Sequence, residues 1–169
     1  MDEIASLIEP LIPGLRRYAW ALLRDDEAAD DLVQDTLERA IARWSQRRHD
    51  GDLKAWLFAI ERNLFLNGIR QRKRRGPHVG AEALENVPAF AGDPDGSVRM
   101  DDIITGLDAL PEEQRSVLLL VGVEDLSYEQ AAQALDVPLG TVMSRLSRAR
   151  KKMRQFIEVG RSAALRRVK

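Results

Sequence analysis

A chain of 169 residues, 44% hydrophobic, 31% charged and only 5% aromatic, has room for one domain or two small helical ones beneath a highly charged surface. It contains no cysteine, which excludes disulfides and thiolate metal sites, and its longest apolar run, 117–123, is far too short to span a bilayer. The formal net charge of −1 conceals local asymmetry. Glu82, Glu85, Asp93, Asp95, Asp101, Asp102 and Asp108 crowd one stretch, whereas almost every charge beyond Arg145 is positive.

The start, Met1-Asp2-Glu3, lacks the positive stretch of a secretory signal, so a soluble cytoplasmic protein without membrane insertion is expected. Sparse aromatics and short β-branched runs favour an all-α fold. Pro10 and Pro13 punctuate the approach to a first long helix, with Leu15, Tyr18, Ala19, Leu22 and Leu23 as its buried side. Arg24-Asp25-Asp26 breaks it, and an aspartate there can cap the next helix. That helix has Val33, Leu37, Ala40, Ile41 and Trp44 as its apolar stripe. The polar stretch SQRRHDGD, 45–52, reads as a loop. A third helix follows with Leu53, Trp56, Leu57, Ile60 and Leu64 at helical spacing. It runs into the basic RQRKRR, 70–75, and stops at Gly76-Pro77.

Residues 77–98 carry Gly, Pro and acids without a sustained period and read as a flexible acidic linker. The domains expected on either side are 1–76 and 99–169. A new helix should begin near Arg99 and cover Ile103, Ile104 and Leu107. Leu110-Pro111-Glu112-Glu113 is a helix start, with proline at the first helical position and two acids in the first turn. The segment 117–121 should be its buried part.

The stretch SYEQAAQALDVPLGTVMSRLSRARKKMR, 127–154, has the pattern of a helix-turn-helix. Ser127 with Gln130 makes a capping box, and Ala131, Ala132 and Leu135 form a small apolar face. Asp136-Val137-Pro138 ends that helix, and Pro138 suits the first turn of the next. In the second helix Val142, Leu146, Ala149 and Met153 make one stripe. Ser144, Arg145, Ser147, Arg148, Lys151 and Lys152 face the other way. Short hydroxyls and arginines on such a face can meet base edges and phosphates in a major groove. A solvated basic helix with no DNA to bind is the plainer alternative. After Gly160 the basic tail is expected to fray.

Two separated motifs resemble one family. DDLVQDTLER, 30–39, followed by KAWLFAIERN, 54–63, resembles the second conserved region of bacterial sigma factors; LPEEQRSVLLL, 110–120, followed by the helix-turn-helix, resembles their fourth region. Size, order and a linker in place of an intervening domain are similar to the extracytoplasmic-function group of the sigma-70 family, across nearly the whole chain. The resemblance implies a non-catalytic initiation subunit without cofactor or metal. It would bind core RNA polymerase at the β′ clamp helices and the β flap, engage promoter DNA and answer to an anti-sigma factor. Asp31, Gln34, Asp35 and Glu38 would dock on the clamp helices, although spacing alone makes them an ordinary solvated face.

Asn63 matches a family asparagine near a flipped minus-10 base, with the loop 45–52 forming part of the pocket. Arg62, Arg70, Arg72, Lys73, Arg74 and Arg75 would hold phosphates. Met143, Ser144, Ser147 and Arg148 match the minus-35 base-reading positions, with Arg148 suited to a bidentate guanine contact and Arg145 and Lys151 to phosphate. The chain departs from the family at Met143, where a basic residue is common, and at Glu61, where a small residue often precedes the Arg-Asn pair. The acidic linker either connects passively or occupies a nucleic-acid path in the polymerase. The wording YAWALLRDDEAADDLVQDTLERA is similar to the general-stress subgroup, which implies a small helical anti-sigma factor released by a response-regulator decoy.

Two rival readings differ in class. A stand-alone helix-turn-helix regulator accounts for the C-terminal half but leaves the N-terminal half without a purpose. An α-helical hydrolase would hold Mg²⁺ on Asp31, Asp35 and Glu38, yet the sequence offers no second acidic motif to face them, and His49 and His78 sit in loops.

Overall fold

The structure, a computed structural model, describes residues 2–48, 50–76 and 100–167. Among them there are helices and turns and no strand. The stretch 77–98 expected to be a linker lies outside the described residues, as do His49 and His78.

The first group of helices is α1 (Asp2–Ile8), α2 (Ile12–Leu23), α3 (Asp26–Ala42) and α4 (Leu53–Arg75). A 3-10 turn, Glu9–Leu11, joins α1 to α2 and places Pro10 and Pro13 at helix starts, where a missing N–H costs nothing. Asp25 caps α3 by accepting from the Ala28 amide at 2.7 Å. Asp52 caps α4 by accepting from the Ala55 amide at 2.6 Å. Leu15, Tyr18, Ala19 and Leu22 of α2 are buried as expected, and the Tyr18 ring meets Phe58 of α4 edge-on, with centroids 5.5 Å apart.

Two expected stripes differ from those observed. In α3 the buried positions are Ala29, Leu32, Val33, Thr36 and Ala40, and Ile41 is exposed. Thr36 is tolerated there because its hydroxyl donates to the Leu32 carbonyl at 2.7 Å. In α4 burial reaches Ala55, Phe58, Glu61 and Phe65 as well as Leu57 and Ile60. This helix is covered on more than one side.

The second group is α5 (Met100–Asp108), α6 (Glu112–Gly122), α7 (Tyr128–Leu135) and α8 (Leu139–Arg167). Pro111 stands at the N-cap of α6 and not inside its first turn; its carbonyl accepts from Gln114 and Arg115. The capping box of α7 is complete: the Gln130 amide donates to Ser127 Oγ at 3.0 Å, and the Ser127 amide donates to Gln130 Oε1 at 2.7 Å. Replacing Ser127 by alanine is expected to cost about 1 kcal/mol, read as a lower denaturant midpoint at unchanged m-value. Asp136 takes a left-handed conformation, φ 52°, to end α7. Helix α8 starts directly after Pro138 and continues through Gly160 to Arg167, so the expected fraying after Gly160 is not seen. Val142, Leu146 and Ala149 are buried with Met153 partly buried, the stripe read from the sequence.

The two groups pack on each other: α4 lies against α7, and α2 against α6. The flexible-linker expectation left their arrangement open; in the structure they are closed over a mixed apolar and ionic seam.

Candidate nucleic-acid interface

Helix α8 carries the face expected from the sequence to meet DNA. Met143, Ser144, Ser147, Arg148 and Lys151 are all exposed, opposite the buried Val142–Leu146–Ala149 stripe, and Lys152 extends the basic side. Met143 is the large apolar side chain in this set, 48% exposed, which suits contact with a thymine methyl group better than with a phosphate. Ser144 Oγ donates to the Thr141 carbonyl at 3.1 Å. Arg145 departs from the expectation: its side chain is only 19% exposed and turns back to Glu113 of α6 at 3.6 Å. Packing explains this, because a residue directly before Leu146 flanks the buried stripe.

On α4 the expected residues also divide. Asn63 is exposed, and Arg70, Arg72, Lys73, Arg74 and Arg75 form an exposed basic end to the helix. Arg62 is not with them. Its side chain is 11% exposed and forms an ion pair with Glu112 of α6 at 3.1 Å. The Arg62 guanidinium is thus turned to α6, while Asn63, the next residue, is exposed. The loop before α4 is itself engaged, because Asp52 Oδ2 accepts from Gln130 Nε2 of α7 at 2.7 Å.

The acidic residues of α3 are brought together as read. Asp31, Gln34, Asp35 and Glu38 are all exposed along one side, with Gln34 donating to Glu38 at 3.2 Å. The exposed Ile41 follows Glu38 by one turn on the same side. These carboxylates run along a helix without converging, and among the described residues no group of three acidic, histidine or cysteine side chains could hold a metal ion.

The seam between the groups holds residues that sequence reasoning missed. Arg17 of α2 donates from Nε and Nη2 to the two carboxylate oxygens of Glu124, at 3.0 and 2.8 Å. The Tyr18 hydroxyl donates to Ser116 Oγ at 3.0 Å, and Ser116 donates onward to Glu112 at 2.6 Å. Arg24 pairs with Asp108 at 3.1 Å. Burial pushes the Tyr18 phenol up, out of reach of ordinary pH. Glu61 is fully buried with neither carboxyl oxygen hydrogen-bonded; burial, reinforced by the Glu124 charge, drives its pKa well above the ordinary 4.5. The sequence marks Glu61 as a departure from the family pattern and as an acid among the apolar residues of α4, but not its burial or its neighbour Glu124. No described helix is long and apolar enough to cross a membrane.

Comparison with known proteins fits this geometry. Residues 8–61 match the family described as the Sigma2 domain of PhyR, and residues 100–153 match Sigma-70, region 4. The chain is 35% identical over 158 residues to the ECF RNA polymerase sigma factor EcfG of Rhodopseudomonas palustris, spanning 94% of this chain and 87% of that protein. It is 36% identical over 161 residues to the ECF RNA polymerase sigma factor SigE of Mycolicibacterium smegmatis, spanning 93% of this chain and 62% of that one. The sigma factor RpoE of Bartonella quintana, solved in complex with the anti-sigma factor NepR, has a TM-score of 0.79 at 34% identity, covering 94% of this chain and 99% of that one.

Proposed function

Because this chain belongs to the extracytoplasmic-function RNA polymerase sigma factors, we propose that its described surfaces divide the work of initiation, with residues 1–76 serving polymerase and minus-10 DNA and residues 99–169 serving minus-35 DNA. As a sigma factor it joins core RNA polymerase, directs it to minus-10 and minus-35 promoter elements and promotes DNA opening. It does so as a subunit with no reaction of its own to catalyse, in the cytoplasm where the polymerase works. The observation that carries this reading is the pairing of two bare faces in one chain: the exposed acidic side of α3 and the exposed Met143–Ser144–Ser147–Arg148 side of α8.

The α3 face presents Asp31, Gln34, Asp35 and Glu38 to basic residues of the polymerase clamp, and Ile41 adds an apolar anchor at its end. Rim charges mainly set association rate and orientation. Asp35→Ala is therefore expected to slow association with core polymerase several-fold at low salt and to lose most of that effect at high salt, checked by stopped-flow fluorescence. On α4, Asn63 takes the flipped minus-10 base, and Arg70, Arg72 and Lys73 hold phosphates. Extruding a base costs a few kcal/mol, so Asn63→Ala should impair opening more than closed-complex formation. Permanganate reactivity set beside gel retention separates the two steps, and equal losses in both would remove the pocket role. In α8, Arg148 reads a guanine and Lys151 holds phosphate, while Arg145 supports the helix from inside through Glu113.

An anti-sigma factor is the expected regulator, supported by the likeness to RpoE, which was solved with NepR. The match of residues 8–61 to the Sigma2 domain of PhyR supports placing the chain in the general-stress subgroup. The deciding experiment adds the purified chain to core RNA polymerase and transcribes a fragmented genomic library. Tight binding with discrete start sites is the expected result. DNA retention without polymerase binding would replace this reading with that of a stand-alone regulator.

A further inference from the structure

The outer side of α8 opens with two large apolar side chains that the fold leaves in solvent. Leu139 is 37% and Met143 48% exposed, and they stand four residues apart, one above the other on the helix. The other exposed positions up to Lys151 carry a hydroxyl, a cation or, at Gly140, no side chain. No acid occurs between Asp136 and Glu158, and neither asparagine nor glutamine between Gln133 and Gln155.

That inventory limits what the helix can read. In a major groove guanine is met by arginine or lysine, adenine by asparagine or glutamine, cytosine by a carboxylate, and thymine by apolar contact with its C5-methyl group. The start of α8 holds the first and the last of these and lacks the middle two. Its serines bond to any base and select little. An A·T pair facing this helix is therefore told apart from its thymine side. Met143 suits that contact, because an unbranched thioether adapts its shape to a neighbour. Gly140 and Ser144 beside it are small, and a β-carbon on Gly140 would meet nothing within 4 Å, so no other side chain fills the space there. The exposed cations that follow, Arg148, Arg150 and Lys151, fit a polyanion and not an apolar protein surface.

We propose that Met143, backed by Leu139, is a specificity-determining residue that reads thymine through its C5-methyl group, so that A·T pairs in the minus-35 element are recognised from the thymine strand. This rests on the minus-35 reading of α8. Arg148 and Met143 then divide the element between them, a guanine by hydrogen bonds and a thymine by apolar contact. Uracil keeps the O4 acceptor and the base pairing of thymine, so the methyl group alone carries the difference that Met143 detects.

The test uses holoenzyme, the full chain with core RNA polymerase, and the minus-35 duplex that it selects from a randomised pool. Each thymine of that duplex is replaced in turn by uracil. One replacement should weaken binding about fourfold, the worth of one buried methyl group. In Met143→Ala the same replacement should make no difference, and Met143→Leu should restore most of the response. Leu139→Ala should shrink it, and an unchanged response removes Leu139 from the contact. Unchanged far-UV helicity verifies that the variants, all at exposed positions, fold. An element selected without an A·T pair overturns the proposal, as do uracil replacements that cost nothing in the native chain. A uracil effect of equal size in Met143→Ala also overturns it, since the effect would then lie in the shape of the DNA. Arg148→Ala tests the premise. If it weakens binding while the methyl groups make no difference, the minus-35 reading stands and this proposal alone is wrong. If neither Arg148→Ala nor Met143→Ala changes binding, or the pool yields no preferred element, the proposal falls with its premise.

Discussion

Glu61→Leu is expected to raise the stability of the protein at neutral pH by about 2 kcal/mol and its melting temperature by roughly 4–8 °C. Glu61 is buried at 0% exposure with both carboxyl oxygens unbonded. The charge acting on it is Glu124, in the segment after α6, which Arg17 of α2 holds; Tyr18 of α2 feels Glu61 together with Arg62 of α4 and Glu112 of α6. The two cations are already taken, Arg17 by Glu124 and Arg62 by Glu112. The buried positions of α3 and α7 bring no charge. Leucine is close to glutamate in volume and leaves nothing to desolvate.

The sign of the pH dependence follows from the raised value. Below about 4.5, folded and unfolded chains both hold the proton and the penalty is absent. As pH rises above that, the unfolded chain releases its proton while the folded chain keeps it, so stability falls. The fall continues until the folded carboxyl ionises in turn. Denaturant titrations from pH 4.5 to 8 should show this decline in the native chain and a shallower one in Glu61→Leu. Parallel curves would mean that Glu61 finds a partner in solution.

Arg148→Ala should weaken promoter binding by about 1–3 kcal/mol, roughly 5- to 150-fold, and relax preference at a single base pair. Arg148 is exposed, next to Ser147 and opposite the buried stripe of α8. Lys151→Ala offers the contrast: removing a phosphate contact should lower affinity evenly across sequences and reduce the salt slope by about one. Selection of bound sequences from a randomised minus-35 pool separates the two. A preference unchanged in Arg148→Ala would remove it from base reading.

The helix-turn-helix was legible because its signals are local. Ser127 and Gln130 cap within one turn, and Val142, Leu146 and Ala149 are a stripe that one helix displays by itself. The stripes of α3 and α4 were harder for opposite reasons. In α3 the core is built from small or satisfied residues, Ala29, Thr36 and Ala40, while the larger Ile41 faces outward; ranking positions by apolar bulk selects the wrong one. In α4 a second buried side exists only because α7, some 70 residues on, lies against it. No periodicity within α4 encodes a neighbour that distant. The same limit applies to the site. Asn63, by family resemblance, and Arg62, by its charge, both belong to a helix expected to face DNA, and only the partner Glu112 reveals that the Arg62 guanidinium turns to α6. Glu124 and Gly14 are 110 positions apart and carry no mutual signal until the chain is folded.

Helix α8 has 29 residues without a break, which at 1.5 Å per residue makes a rod about 43 Å long. Its first turns carry Ser144 and Arg148. Farther along, Met153 and Phe156 press so closely on Gly106 of α5 that a β-carbon there would meet them at 3.0 and 3.1 Å. The stretch before them is buried too, at Val142, Leu146 and Ala149, so the rod is held along its length and not at one pivot. The contacts at Met153 and Phe156 and the exposed residues Ser144 and Arg148 therefore belong to one rigid piece.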